Sequence, residues 1–205
     1  MHITLSDAEQ SIQRKALSYN QDDFYDFLSA FCKSLRGSDA NAALYYAMRL
    51  IEGGCDPMTV ARRLVVHSAE DVGMADPRAL QMATSAMYAL EKIGYPEAMI
   101  PLSEAIIYVC EAEKSNSVVN AMYAAKTDAR ESRDDNIPSY LKDNSYGGKE
   151  DKANNRRYLY PHDFGGYVEQ QYLPDSLKDK IYYTPGDNGY ENEVKSIRIK
   201  KGKKK

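Results

Sequence analysis

Residues 38–80, SDANAALYYAMRLIEGGCDPMTVARRLVVHSAEDVGMADPRAL, hold two complete helices and the start of a third, each with its own punctuation. Ser38 precedes a run in which Ala40, Ala43, Leu44, Ala47 and Ile51 recur at helical spacing, and a short polar side chain there accepts from the orphan N–H groups of a first turn. Gly53-Gly54 stops the run. Asp56-Pro57 starts the next helix, the carboxylate as cap and the proline at a first position that needs no N–H. Gly73 ends that helix, and Asp76-Pro77 repeats the start signal. Connections this short make antiparallel neighbours, which predicts an all-α fold built on a helical bundle.

Upstream, Phe24, Phe27, Leu28, Phe31, Cys32 and Leu35 form a wide apolar stripe that ends at Gly37. Residues 1–18 carry only a thin apolar face, the kind that packs on something else. Downstream, Ala79, Leu80, Met82, Ala83, Ala86, Met87, Leu90 and Ile93 are apolar on much of a helix circumference, and their small members place this helix centrally. Pro101 falls near the start of the next helix, which carries Leu102, Ala105, Ile106 and Val109. Ser115 or Asn116 then caps a last bundle helix with Val118, Ala121, Met122, Ala125 and Ala129 inward, which completes a domain over residues 19–131.

Beyond Arg130 the composition shifts. Residues 132–157 are charged and rich in Asn, Asp, Ser and Gly, the make-up of a surface excursion. Tyrosines 158, 160, 167, 172, 182, 183 and 190, with Phe164, are too many rings for a disordered linker. They predict an extended arm over 132–194 whose aromatics pack on the bundle or on a neighbouring subunit. Residues 195–205 carry seven basic side chains and no acid, which leaves 1–194 at −10 within a net charge of −3. A short lysine-rich end of this kind reads as a disordered, solvated tail, and the acidic remainder argues against duplex binding by the whole surface.

At 205 residues and 43% hydrophobic, the chain can bury a sizeable core. Its three cysteines, Cys32, Cys55 and Cys110, are isolated and lie in or beside helical patterns, as buried reduced thiols of a cytosolic protein do. No apolar run reaches the ~18 residues of a membrane span, and the first residues lack a signal-peptide core.

The motifs of chemistry are missing from the sequence: no phosphate loop, nucleophile elbow, H-E-x-x-H or cysteine zinc spacing. His162-Asp163 is the one acid–base pair of note, and a hydrolase built on it is the weakest of three readings because no nucleophile or metal set accompanies it. Arg63, His67, Glu70 and Asp71 share one side of a helix at spacings of four and seven, either a salt-bridged exposed or interfacial face or a polar helix–helix interface, within the chain or between subunits. Tyr45 and Arg49 on the preceding helix join them as interface candidates. Arg62, Arg156 and Arg157 are placed to reach phosphate, and Tyr158, Tyr160, His162, Phe164, Gln171 and Tyr172 to contact a partner or stack bases.

Several long segments taken together are familiar. RGSDANAALYYAMRLIEGG, ARRLVVHSAEDVGMADPRAL, Lys114-Ser115-Asn116, IPSYLKD, YPHDFGGYVEQQYLP and YYTP, in this order, resemble the C-terminal half of the replication-associated recombination protein A family, also called MgsA and similar to the Werner-helicase-interacting ATPase of eukaryotes. The resemblance implies a collar-like helical domain of the clamp-loader type, assembling AAA+ ATPases into homotetramers at stalled replication forks. It implies single-strand-binding protein and fork DNA as partners, a cytoplasmic, nucleoid-associated setting, and no membrane. It also implies that residues 1–18 are the end of an ATPase lid, that ATP and Mg belong to a module not included here, and that this part carries no catalytic residue, cofactor or metal. Three readings follow: an assembly and docking domain, a single-stranded-DNA-binding module using the Tyr-rich arm and basic tail, and the His162-Asp163 hydrolase.

Overall fold

The structure, a computed structural model, describes residues 21–132, 136–142 and 157–202. Among the described residues it is all-helical, with seven α-helices and no strand: α1 Gln21–Arg36, α2 Ala40–Glu52, α3 Pro57–His67, α4 Arg78–Ile93, α5 Met99–Glu111, α6 Ser117–Glu131 and α7 Tyr190–Lys200. The chain divides into two compact units. The first comprises Met1–Val118 and Gly186–Glu191, the second Val119–Pro185 and Asn192–Lys205. The segment 1–18, expected to be a lid remnant, lies outside the described residues.

In the first unit α1 packs on α2, α3 and α5, and α4 packs on α3 and α5. The core is formed by Phe31 and Leu35 of α1, Ala47 and Leu50 of α2, Val60 and Leu64 of α3, and Leu102, Ile106 and Val109 of α5, all fully buried. The expectation that residues 79–93 form the central helix is corrected. That helix, α4, buries Ala79, Ala83, Ala86 and Leu90 but turns Leu80 and Ile93 to solvent. The centre belongs to α5, which touches each of α1 to α4 and buries Leu102, Ala105, Ile106, Val109 and Cys110. Its Pro101 stands in the first turn, where a missing N–H breaks no helical bond.

Local signals resolve in detail. The cap of α2 is Asp39 rather than Ser38: Asp39 accepts from the Ala42 N–H at 2.9 Å, and Ser38 occupies the turn with φ +61°. A carboxylate placed there also meets the positive end of the helix dipole, which a hydroxyl does not exploit. Asp56 caps α3 as read, accepting from the Met58 N–H at 2.9 Å. Asp76 accepts from the Arg78 N–H at 3.1 Å, and the Tyr108 hydroxyl of α5 donates to its other oxygen at 2.8 Å. Lys114 closes α5 from behind: its Nζ donates to the carbonyls of Val109, Cys110 and Ala112 at 2.9, 2.8 and 2.7 Å. Burial in that position holds the ammonium below its usual pKa.

Helix α6 departs from the expectation for a bundle helix. It has no buried residue, and Val118, Met122 and Ala129 are exposed where an inward face was predicted. The second unit continues through short 3₁₀ turns at Ser139–Leu141, Pro161–Phe164 and Asp175–Leu177. Its C-terminal segment also differs from the reading: Lys195–Lys200 belong to α7, so the basic stretch starts as a helix and not as a disordered tail. Cation side chains late in a helix meet the negative end of its dipole, and the Arg198 guanidinium lies 5.1 Å over the Tyr183 ring.

The burial pattern sets a contrast. Leu102→Ala should cost about 2–5 kcal/mol in urea unfolding, whereas Ile100→Ala two positions earlier, 76% exposed, should stay within about 0.5 kcal/mol of wild type.

Candidate functional site

The polar stripe read from the sequence lies at the end of α3, where the backbone changes period. After His67 the chain makes a π-turn, Ser68–Val72, and a short 3₁₀ turn, Gly73–Ala75. Gly73 ends the π-turn at φ +50°, and a Cβ there would meet Val118 Cγ2 at 3.2 Å, so glycine satisfies both the backbone and the close approach. Widened turns of this kind re-aim side chains. Here the turn brings His67 and Asp71 into contact: His67 Nδ1–H donates to Asp71 Oδ2 at 2.7 Å, and both residues are buried.

The third member comes from α1. Arg36 Nε donates to Asp71 Oδ1 at 2.7 Å, and its NH2 group reaches Glu70 Oε1 at 3.0 Å. The Asp71 carbonyl accepts from the Ser115 N–H at 2.8 Å, so this one residue ties α1, α3 and the α5–α6 junction together. Asp71, aided by the Cys32 sulfur, holds His67 up at about 9 against the opposing effect of burial. Burial pushes the Asp71 carboxyl up, but hydrogen bonds from His67 and Arg36 outweigh it and leave the group below the usual carboxylate range. His67 is therefore an imidazolium at neutral pH, and the cluster pairs two cations with two anions.

The same residues raise the question of a metal, because ligand atoms of His67, Glu70 and Asp71 lie within 4.8 Å of one another. The donor set does not suit one: the Arg36 guanidinium already bridges both carboxylates, and the imidazole nitrogen facing Asp71 carries a proton. The cluster works as a structural clamp.

The stripe thus meets another helix of the same chain, α1, through Arg36. His67 and Asp71 are used inside the unit, Glu70 is half-buried against Arg36, and Arg63 alone of the stripe is exposed. Tyr45 is 60% exposed on α2, its ring edge-on to Tyr46 at 5.4 Å, and Arg49 lies over the Phe27 ring at 5.8 Å. Arg62 is exposed on α3. The clamp's key partner, Arg36, was not among the candidates; its pairing spans 35 residues and leaves no mark in the local periodicity.

The second unit holds the aromatic candidates. Gln170 organises it, with Oε1 accepting from the Leu159 N–H at 3.1 Å and Nε2 donating to the Leu159 carbonyl at 2.8 Å, so one side chain imitates a strand neighbour. Gln171 Nε2 donates to the Leu173 carbonyl and to Asp175, and the Tyr140 hydroxyl donates to the Gln171 carbonyl. A groove of about 550 Å³ runs past Tyr167, Gln170, Gln171, Tyr172, Leu173 and Lys180. Tyr160, Phe164 and Tyr172 are about half exposed, and the Tyr160 and His162 rings lie 5.0 Å apart. Tyr158 is half-buried, Arg157 is exposed, and Arg156 lies outside the described residues. His162 and Asp163 sit together in an exposed 3₁₀ turn. The three cysteines are free thiols; burial lifts Cys110 to about 11, far from a nucleophile's range. Among the described residues no helix is long and apolar enough to cross a membrane.

The clamp fixes a pH dependence. His67 binds its proton more tightly when folded, at about 9 against an ordinary 6.5, so its contribution is complete below pH 6.5 and is lost as pH rises through 9. His67→Gln should lower stability by about 1–3 kcal/mol at pH 6. Urea midpoints measured from pH 6 to 10 should show the gap to wild type narrowing from about pH 6.5 upward and closing above about pH 9.

Comparison with known proteins fits this architecture. Residues 37–201 match the family described as MgsA AAA+ ATPase C terminal. The chain is 46% identical over 209 residues to replication-associated recombination protein A of Bacillus subtilis, covering 100% of this chain and 49% of that protein. It is 38% identical over 185 residues to the Escherichia coli protein of the same name, covering 89% and 41%. It is 35% identical over 177 residues to the Dictyostelium discoideum ATPase WRNIP1, covering 84% and 20%. It thus spans half or less of the length of each. On the family match, the chain belongs to the MgsA AAA+ ATPase C-terminal family.

Proposed function

We propose that this chain is the assembly and partner-docking part of an AAA+ ATPase that serves DNA replication and recombination at stalled forks. The reading draws on the relatives' names and on one structural observation. With His67, Glu70 and Asp71 satisfied internally, the first unit leaves large apolar side chains uncovered. Tyr88 and Ile93 at the end of α4, Tyr95 in the following turn and Ile100 at the start of α5 are 57–76% exposed, and Tyr45 is 60% exposed on α2. Apolar side chains collected near one helix connection mark a contact surface more often than a solvated one. On this reading four copies assemble, with Tyr45, Arg49 and Arg63 as further contact candidates. Chemistry belongs to an ATPase module carrying ATP and Mg outside this chain, in a cytoplasmic protein that meets fork DNA and single-strand-binding protein.

Light scattering over a concentration series tests this directly. A tetramer is expected, and Ile100→Asp should shift the mass downward while the helical circular dichroism stays that of wild type; a monodisperse monomer at high concentration would overturn the proposal.

A second reading, single-stranded DNA on the Tyr-rich arm and basic C-terminal stretch, rests on the half-exposed rings of Tyr160, Phe164 and Tyr172. Base stacking on such rings contributes about 1–3 kcal/mol each. Fluorescence anisotropy with a labelled oligonucleotide should then show salt-dependent binding that Tyr172→Ala weakens, and flat titrations at low salt would remove this reading.

A further inference from the structure

The segment Gly186–Glu191 leaves the arm and returns to the first unit. Its sequence, GDNGYE, fits one place there. Glu191 is fully buried, and its Oε1 accepts from the Ser117 hydroxyl of α6 at 2.5 Å. The Asn188 amide donates to the Lys114 carbonyl at 2.8 Å. Gly189, at φ +52°, lies so close to Ala75 that a Cβ would run into the Ala75 carbonyl. At Gly186 a Cβ would stand 2.6 Å from the Glu191 carboxylate. Two glycines, an amide and a buried acid therefore key this hexapeptide onto the start of α6, where the helix dipole favours a carboxylate.

The contact continues inward without a break. Ser117 N–H donates to the Ser115 hydroxyl at 3.2 Å, Ser115 N–H donates to the Asp71 carbonyl at 2.8 Å, and Asp71 holds Arg36 and His67. A hydrogen-bonded path thus joins the beginning of α7 to the π-turn and to α1. Apart from Glu191, every residue of the hexapeptide is at least partly exposed, and the segment contributes nothing to the apolar core formed by α1 to α5.

We infer that Gly186–Glu191 is a releasable strap: docked, it sets the first turn of α6 and, through Ser115, the π-turn; undocked, it frees both while the helical core stays folded. The element with two states is the strap, and the path through Ser117, Ser115 and Asp71 lets its state be felt at the clamp. Because α7 begins at Tyr190, the last two residues of the strap are also the first two of that helix.

Hydrogen exchange read by mass spectrometry on the full chain tests this. Three variants attack the strap by different means: Ser117→Ala removes the donor, Glu191→Gln replaces the buried carboxyl with an amide of similar shape, and Gly189→Ala drives a methyl toward the Ala75 carbonyl. In each, amides of 186–192, 115–118 and 68–73 should exchange faster together, by about tenfold or more, while those of α2 and α4 keep wild-type rates. Faster exchange confined to 186–192, or no change at all, would show a strap with no hold on the π-turn and overturn the inference. Equal acceleration in α2 and α4 would show an inseparable part of the core and overturn it as well.

Discussion

The buried carboxylate of Asp71 is the constraint on which the first unit depends. An ionised acid at 8% exposure is tolerable only with donors on every side, and here they come from separate parts of the chain: Arg36 of α1 and His67 of α3 on the side chain, with Ser115 on the carbonyl. Apolar packing between helices tolerates sliding and rotation, since many arrangements bury similar area. A charged hydrogen-bonded centre does not, because each donor has one useful position. The alanine-lined α4 and the deeply buried α5 supply burial, whereas Asp71 supplies registration between α1, α3 and the α5–α6 junction.

The π-turn makes this geometry reachable. In an uninterrupted helix His67 and Asp71 would share a face, but the chain would continue along the α3 axis. Widening the turn and ending it on Gly73 redirects the backbone toward α4 while the two side chains stay in contact. Sequence reading placed His67, Glu70 and Asp71 together by spacing alone and left open whether they face solvent or another helix. The choice depended on Arg36, far away in the chain.

What was legible in the sequence was whatever is local. Asp56-Pro57, Asp76-Pro77, Gly53-Gly54 and Gly73 each act within a few residues, and the helix boundaries followed from them. Ser38 against Asp39 is a near miss of the same type, two adjacent capping residues separated only by which one the turn geometry favours. The ranking of α4 and α5 was not legible, because both carry apolar patterns and only assembly decides which has neighbours on all sides. Helix α6 reads as amphipathic on Val118, Ala121, Met122 and Ala125, yet buries none of them, since a stripe states what can be buried and not what is. The organising role of Gln170 was invisible for a different reason: an amide that stands in for a strand has no periodic signature.

The bond between Ser117 and Glu191 joins residues 74 apart in the chain, a span comparable to the one that brings α1 onto α5. Closing a loop of that span costs about 2 kcal/mol more than closing one of ten residues. Helices adjacent in the chain, such as α1 with α2 and α4 with α5, pair locally, and a long closure needs a receiving surface that already exists. The hexapeptide docks on residues that the rest of the unit positions, Ala75, Lys114 and Ser117, so its closure reports the surface beneath it as complete.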